Sequence, residues 1–132
     1  LGDVYKRQRH LGFKVGEELI RVVRVRSLNG NARQVDHGYF LASIAKGLTP
    51  EIAADSIYGY LEHKRGVKVM ASRRTVSVEL ANDEDCSYLD LGKYNCVAVM
   101  ESQSYTSDGI LFEVTHTRTH PEIFHYRVNS KR

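Results

Sequence analysis

The chain has 132 residues, 42% of them hydrophobic and 27% charged, with a formal net charge of +3. That suits one domain able to bury roughly two-thirds of its surface. The mild, scattered positive charge excludes a strongly basic nucleic-acid surface, and no apolar stretch approaches the length that spans a bilayer.

Residues 1–8 have the pattern of a translated sequencing-adapter remnant, so they are set outside the fold and the natural protein is expected to continue upstream. No signal peptide is expected. Cys86 and Cys96 lack metal-type spacing and further cysteine partners. A reduced, cytoplasmic protein without a structural metal follows.

The first strand is predicted over 17–28, in the β-branched run around Val22, Val23 and Val25. Side chains alternate faces on a strand, so Arg24 and Arg26 point the same way. Two guanidiniums on one face of an apolar strand repel each other and resist desolvation. An anion between them, phosphate or carboxylate, would relieve both. The plainer alternative is a wet sheet face on which each arginine pairs with a cross-strand acid.

Asn29-Gly30 is a hairpin signal, because both residues tolerate positive φ. The return strand is predicted over 32–40. A two-residue loop would put Asp36 on the face away from Arg24. A three-residue loop through Asn31, or a bulge, would put it opposite Arg24; the three-residue loop is the expectation.

Thr49-Pro50 opens a short helix ending near Ala54, since Thr caps well and Pro suits the first helical position. Ser56 or Asp55 caps a second helix over 57–64, ended by Gly66, with Ile57, Tyr60 and Leu61 as its apolar stripe. A long strand follows over 67–80, with a change of face predicted near Arg73-Arg74. Asn82 caps a helix whose first turn is acidic, which suits the helix dipole. Strands are predicted over 96–105 and 110–119, joined by a turn at 106–109. Pro121 breaks the ladder, and the alternation of Phe124, Tyr126 and Val128 predicts a final strand over 123–128. Hairpins dominate, so the fold class is α+β: an antiparallel sheet of about six strands with peripheral helices.

Taken together, Arg24-Val25-Arg26, Asp36, Ser56-Ile57-Tyr58, Leu111-Phe112-Glu113 and Phe124-x-Tyr126-x-Val128 resemble the UTRA domain, the effector-binding half of HutC-type regulators in the GntR family. The resemblance covers 11–132. Within the family, Ser56 to Glu62, Glu84 to Leu91, Leu111 to Thr115 and the basic end Ser130-Lys131-Arg132 look most like trehalose operon repressors. The resemblance implies a chorismate-lyase-like fold and a sugar phosphate such as trehalose 6-phosphate as effector. It also implies a missing N-terminal winged helix-turn-helix that binds operator DNA, and a homodimer. The domain would then occupy 9–132.

By the same resemblance Arg24 and Arg26 hold the ligand's anionic group, and Asp36 binds its hydroxyls. Ser56 and Tyr58 add contacts from the helix start, and Glu113 faces the sugar. Arg118 resembles an arginine of the trehalose-type proteins. The residues alone leave plainer roles open: Ser56 as an ordinary cap, Tyr58 in packing, Asp36 as an ion-pair partner of Arg24, Glu113 as a cross-strand partner.

The alternative functions are a chorismate-lyase-like enzyme, because the implied fold is shared with one, or a sensor of another small acid or sugar phosphate. No nucleophile–base pair or Gly-rich loop points to chemistry, and the reading is non-enzymatic with no cofactor. His116, His120 and His125 are the rival metal site; His116 and His120 lie four apart, which suits a helix rather than the predicted strand.

Overall fold

The computed structural model describes residues 4–5, 12–14 and 16–131. In chain order the elements are β1 (Val4–Tyr5), β2 (Leu19–Leu28), β3 (Asn31–Leu41), α1 (Pro50–Asp55), α2 (Ile57–His63), β4 (Val69–Leu80), α3 (Asp83–Tyr88), β5 (Cys96–Thr106) and β6 (Leu111–Thr119). The strands form one antiparallel sheet in the order β1-β2-β3-β6-β5-β4. The α+β expectation, with six strands, is what the chain forms.

The sixth strand differs from the expected one. Residues 4–5, set outside the fold on sequence, pair with Ile20 and Leu19. Residues 123–128, predicted as a strand, form none. Alternation provides a strand-compatible face but not a partner, and β6 is already paired on both sides by β3 and β5.

The β2–β3 hairpin turns through Asn29 (φ 54°) and Gly30 (φ 82°), so its loop has two residues rather than three. Arg24 still faces Asp36, because Arg33 is an extra residue: Ser27 pairs with Ala32 while Arg26 pairs with Gln34. The bulge restores the register that the shared pocket requires.

On β4 the change of face lies at Val69–Ala71, not at Arg73-Arg74. Met70 is the inserted residue, which leaves Val69 on the face of Val76, Val78 and Leu80.

Two apolar clusters hold helices to opposite faces of the sheet. Ala53, Ile57 and Leu61 from α1 and α2 join Val22 and Phe40 in one. Leu89 and Leu91, just after α3, join Val35, Val97 and Val99 in the other. Thr49 caps α1, accepting from the Ile52 amide, and Pro50 starts it.

The α3 end is fastened by charge. Asn82 and Asp85 form a reciprocal capping box, in which each side chain accepts from the other's backbone amide. Buried Asp85 also takes a forked bond from Arg118, at 2.7 Å from Nε and 2.9 Å from Nη2. Arg118 is on the face opposite Arg24 and Asp36, so it serves the fold rather than the cleft described next.

Candidate functional site

Residues directly opposite each other in an antiparallel sheet share a face. Two polar rows therefore cross β2, β3 and β6: Arg24–Asp36–Thr117, and Arg26–Gln34–Thr119. Within the first row the Arg24 Nη2 donates to Asp36 Oδ2 at 2.6 Å, and the Thr117 hydroxyl donates to Asp36 Oδ1 at 2.9 Å. Within the second, the Gln34 amide donates to the Thr119 hydroxyl oxygen at 3.0 Å. The C-terminal end of α1 overhangs these rows. Ala53, Ala54 and Asp55 complete a cleft of about 620 Å³ with Arg24, Val25, Arg26, Gln34, Asp36 and Thr117.

Arg26 has no ion-pair partner among the described residues, and it is exposed. Its uncommitted fork beside Arg24 is the anion-binding feature of the cleft.

A second polar group lies further along the same sheet face. Glu113 is opposite Phe40, four pairs on from the Asp36–Thr117 pair and on the same face. Its carboxylate accepts a short hydrogen bond from the Tyr58 hydroxyl, which also contacts Ser104 Oγ at 3.2 Å. Burial pushes the Glu113 carboxyl up, and the negative Asp36 adds to that. Burial, and then the Glu113 charge, push Tyr58 up to about 12. Arg74 acts in the opposite sense on Tyr58. It faces Ser102, in the row between the two polar groups.

Three of the six candidate residues line this cleft. Arg24, Arg26 and Asp36 line the cleft; Tyr58 and Glu113 bind each other beyond it. Ser56 is the cap of α2, its hydroxyl oxygen accepting from the Gly59 amide at 3.0 Å. It lines a separate depression with Glu51, Tyr60 and His63, while its neighbour Asp55 borders both cavities. The plainer roles are the ones formed by Ser56 as a cap and by Asp36 as the partner of Arg24.

Gln34, Thr117, Ser104 and Arg74 were not singled out on sequence. Gln34 is two residues from Asp36, so alternation alone could have placed it on the same face. The others depend on which strands become neighbours. His120 Nδ1 accepts from the Glu122 amide, and His116 Nε2 lies 3.4 Å from a Glu101 carboxylate oxygen. Among the described residues no group of three or more His, Cys, Asp or Glu side chains is arranged to hold a metal. Among the described residues no helix is long and apolar enough to cross a membrane.

A sequence model of the UTRA domain matches residues 6–125, most of the chain. The chain belongs to the UTRA domain family. It is 29% identical over 119 residues to the HTH-type transcriptional regulator TreR of Bacillus subtilis, covering 90% of this chain and 50% of that protein. It is 32% identical over 82 residues to the HTH-type regulator YydK of the same organism, covering 62% of this chain and 35% of that protein. The chain therefore spans about half the length of TreR and less of YydK. The solved effector-binding domain of the B. subtilis trehalose repressor superposes with a TM-score of 0.90 at 26% identity, over 98% of this chain and 93% of that one. A GntR-family regulator from Enterococcus faecalis has the same fold, with a TM-score of 0.85 at 20% identity, over 97% of this chain and 95% of that one. This UTRA domain is an effector-binding domain of the GntR-regulator type.

Proposed function

We propose that this UTRA domain binds a sugar phosphate, trehalose 6-phosphate foremost, and that binding controls operator recognition by a DNA-binding domain elsewhere in the same polypeptide. The observation that carries the reading is the pair Arg24 and Arg26 facing one cleft, with Arg26 uncommitted and the acceptors Asp36 and Gln34 on the adjoining strand. Guanidinium forks suit a phosphate, and carboxylate and amide oxygens suit sugar hydroxyls. Tyr58 and Glu113 would meet the far end of an extended ligand. The role is binding, without catalysis or cofactor. The effector would favour one conformation of the domain and so shift the placement of the DNA-binding domains.

Calorimetry of the chain with trehalose 6-phosphate tests this, alongside other sugar phosphates, urocanate and fatty acids. Binding is expected, and Arg26→Ala should weaken it at least about tenfold, as loss of a charge-assisted hydrogen bond does. Equal affinity in the variant would remove Arg26 from the site. The chain alone should not shift operator DNA in a gel.

A homodimer and a cytoplasmic location complete the reading. All twelve residues of the edge strand β4 are exposed, with Val76, Val78 and Leu80 in an apolar row on one face. A long unpaired edge of this kind is suited to pairing with a second copy. Sedimentation should show a dimer that Val78→Lys weakens; a monomer at all concentrations would refute it.

A further inference from the structure

The cleft contradicts its own charge requirement. Its lining includes two arginines but also Asp36 and Asp55, so the formal charges cancel. Arg24, the arginine nearer the acceptors, already commits its Nη2 to the Asp36 carboxylate. Asp36 is held in that position from the other side: Thr117, directly across on β6, donates to its second oxygen. An anion that takes a fork including Arg24 Nη2 must compete with this carboxylate, whose negative charge also opposes it.

We infer that Asp36 is the resident counter-anion of the cleft, seated on Arg24 until the anionic group of the effector replaces it. The inference rests on the cleft being an anion site and adds how that site discriminates between anions. Once displaced from Arg24, Asp36 remains bonded to Thr117 through Oδ1. Its Oδ2 is then an open acceptor on the cleft wall. A bare phosphate displaces the carboxylate and gives it nothing in return. A ligand with hydroxyls beside its phosphate gives that oxygen a new donor. Asp36 thus selects phosphorylated polyols against inorganic phosphate by opposing the phosphate and rewarding the hydroxyl.

The ion pair is half-exposed at Arg24, whose side chain is 44% accessible, against 17% for Asp36. Screening keeps its strength small, so the effect is a moderate factor rather than an all-or-none block.

The test is calorimetry on the 132-residue chain and its Asp36→Asn variant, with inorganic phosphate and with trehalose 6-phosphate as probes. Asp36→Asn should bind inorganic phosphate about three- to tenfold more tightly, because it loses a competitor for Arg24 and a like charge beside the ligand. The ratio of sugar-phosphate to phosphate affinity should fall at least about threefold, since the amide is a weaker acceptor for a hydroxyl. Unchanged or weaker phosphate binding in Asp36→Asn overturns the inference and makes Asp36 a simple positioning partner of Arg24. Thr117→Val keeps the carboxylate but removes its tether, and should tighten phosphate about twofold; weaker binding there overturns the inference as well, whether or not Asp36→Asn folds. Arg26→Ala separates the two layers. If it leaves wild-type phosphate binding intact, or if wild type binds neither probe, the cleft itself is not the anion site and both readings fall. If it abolishes binding while Asp36→Asn does not tighten it, only the counter-anion role falls.

Discussion

Replacing Arg118 should be far more damaging to stability than replacing either cleft arginine, and far less damaging to effector binding. Arg118 makes a forked bond to Asp85, which is 1% exposed and whose only other hydrogen bonds among the described residues are those of the α3 cap. Arg118→Met leaves that carboxylate buried without its counter-charge. Breaking such a pair from one side costs about 3–5 kcal/mol. With an unfolding entropy near 2.1 cal/mol/K per residue, the melting temperature of a chain this size falls by roughly 11–18 °C. Urea denaturation monitored by circular dichroism measures the free energy, and a thermal scan the shift. The double variant Arg118→Met/Asp85→Leu removes both charges and should recover part of the loss, because an apolar pair has no desolvation cost to offset; the remainder is the capping bond from the Asn82 amide, which Asp85→Leu also removes. It retains Arg24, Arg26 and Asp36, so its affinity for the sugar phosphate should match wild type. A loss below about 1 kcal/mol for the single variant is what a solvated surface pair gives. That result would refute the claim that this buried pair fastens α3 to the sheet.

Two further outcomes follow from buried titratable groups. His37 is buried beside Arg21 and Glu84, and burial, the largest influence, holds its pKa below the ordinary 6.5. The unfolded chain therefore takes up the proton first: this contribution to stability is complete above pH 6.5 and is lost as pH falls below it. His37→Gln should flatten the dependence of melting temperature on pH as pH falls below 6.5; an unaltered slope would assign it to other groups. Glu113 has the opposite sign. Burial raises its pKa above the ordinary 4.5, so the folded state loses stability as pH rises from there through the raised value. Glu113→Gln keeps an oxygen for the Tyr58 hydroxyl and removes the buried charge, so at pH 8 it should be at least as stable as wild type. A loss of more than about 1 kcal/mol at pH 8, read by urea denaturation, would show that the charged hydrogen bond outweighs burial.

Local chemistry made much of this domain legible in the sequence. Thr49-Pro50, Ser56 and Asn82 mark helix starts because a side-chain oxygen must satisfy amides that the first turn leaves free, and that requirement is met within three residues. Alternation put Arg24 and Arg26 on one face, and Asn29-Gly30 placed the hairpin. These facts involve only neighbours along the chain. The ordered set of short motifs carried the family assignment, which the match over 6–125 shows.

What tertiary structure decided was every relation between distant segments. The bulge at Arg33, with no marker in the local composition, set Asp36 against Arg24. Placement of β6 beside β3 brought Thr117 to Asp36 and sent Arg118 to the other face, into Asp85. The same placement filled both sides of β6 and left 123–128 unpaired despite their alternation. Ser56 met its own helix, while Tyr58, two residues on, reached across to Glu113. A strand's periodicity specifies which of its side chains share a face. Which partner that face receives depends on closing loops of many residues, and on burying apolar surface that no local segment can bury alone.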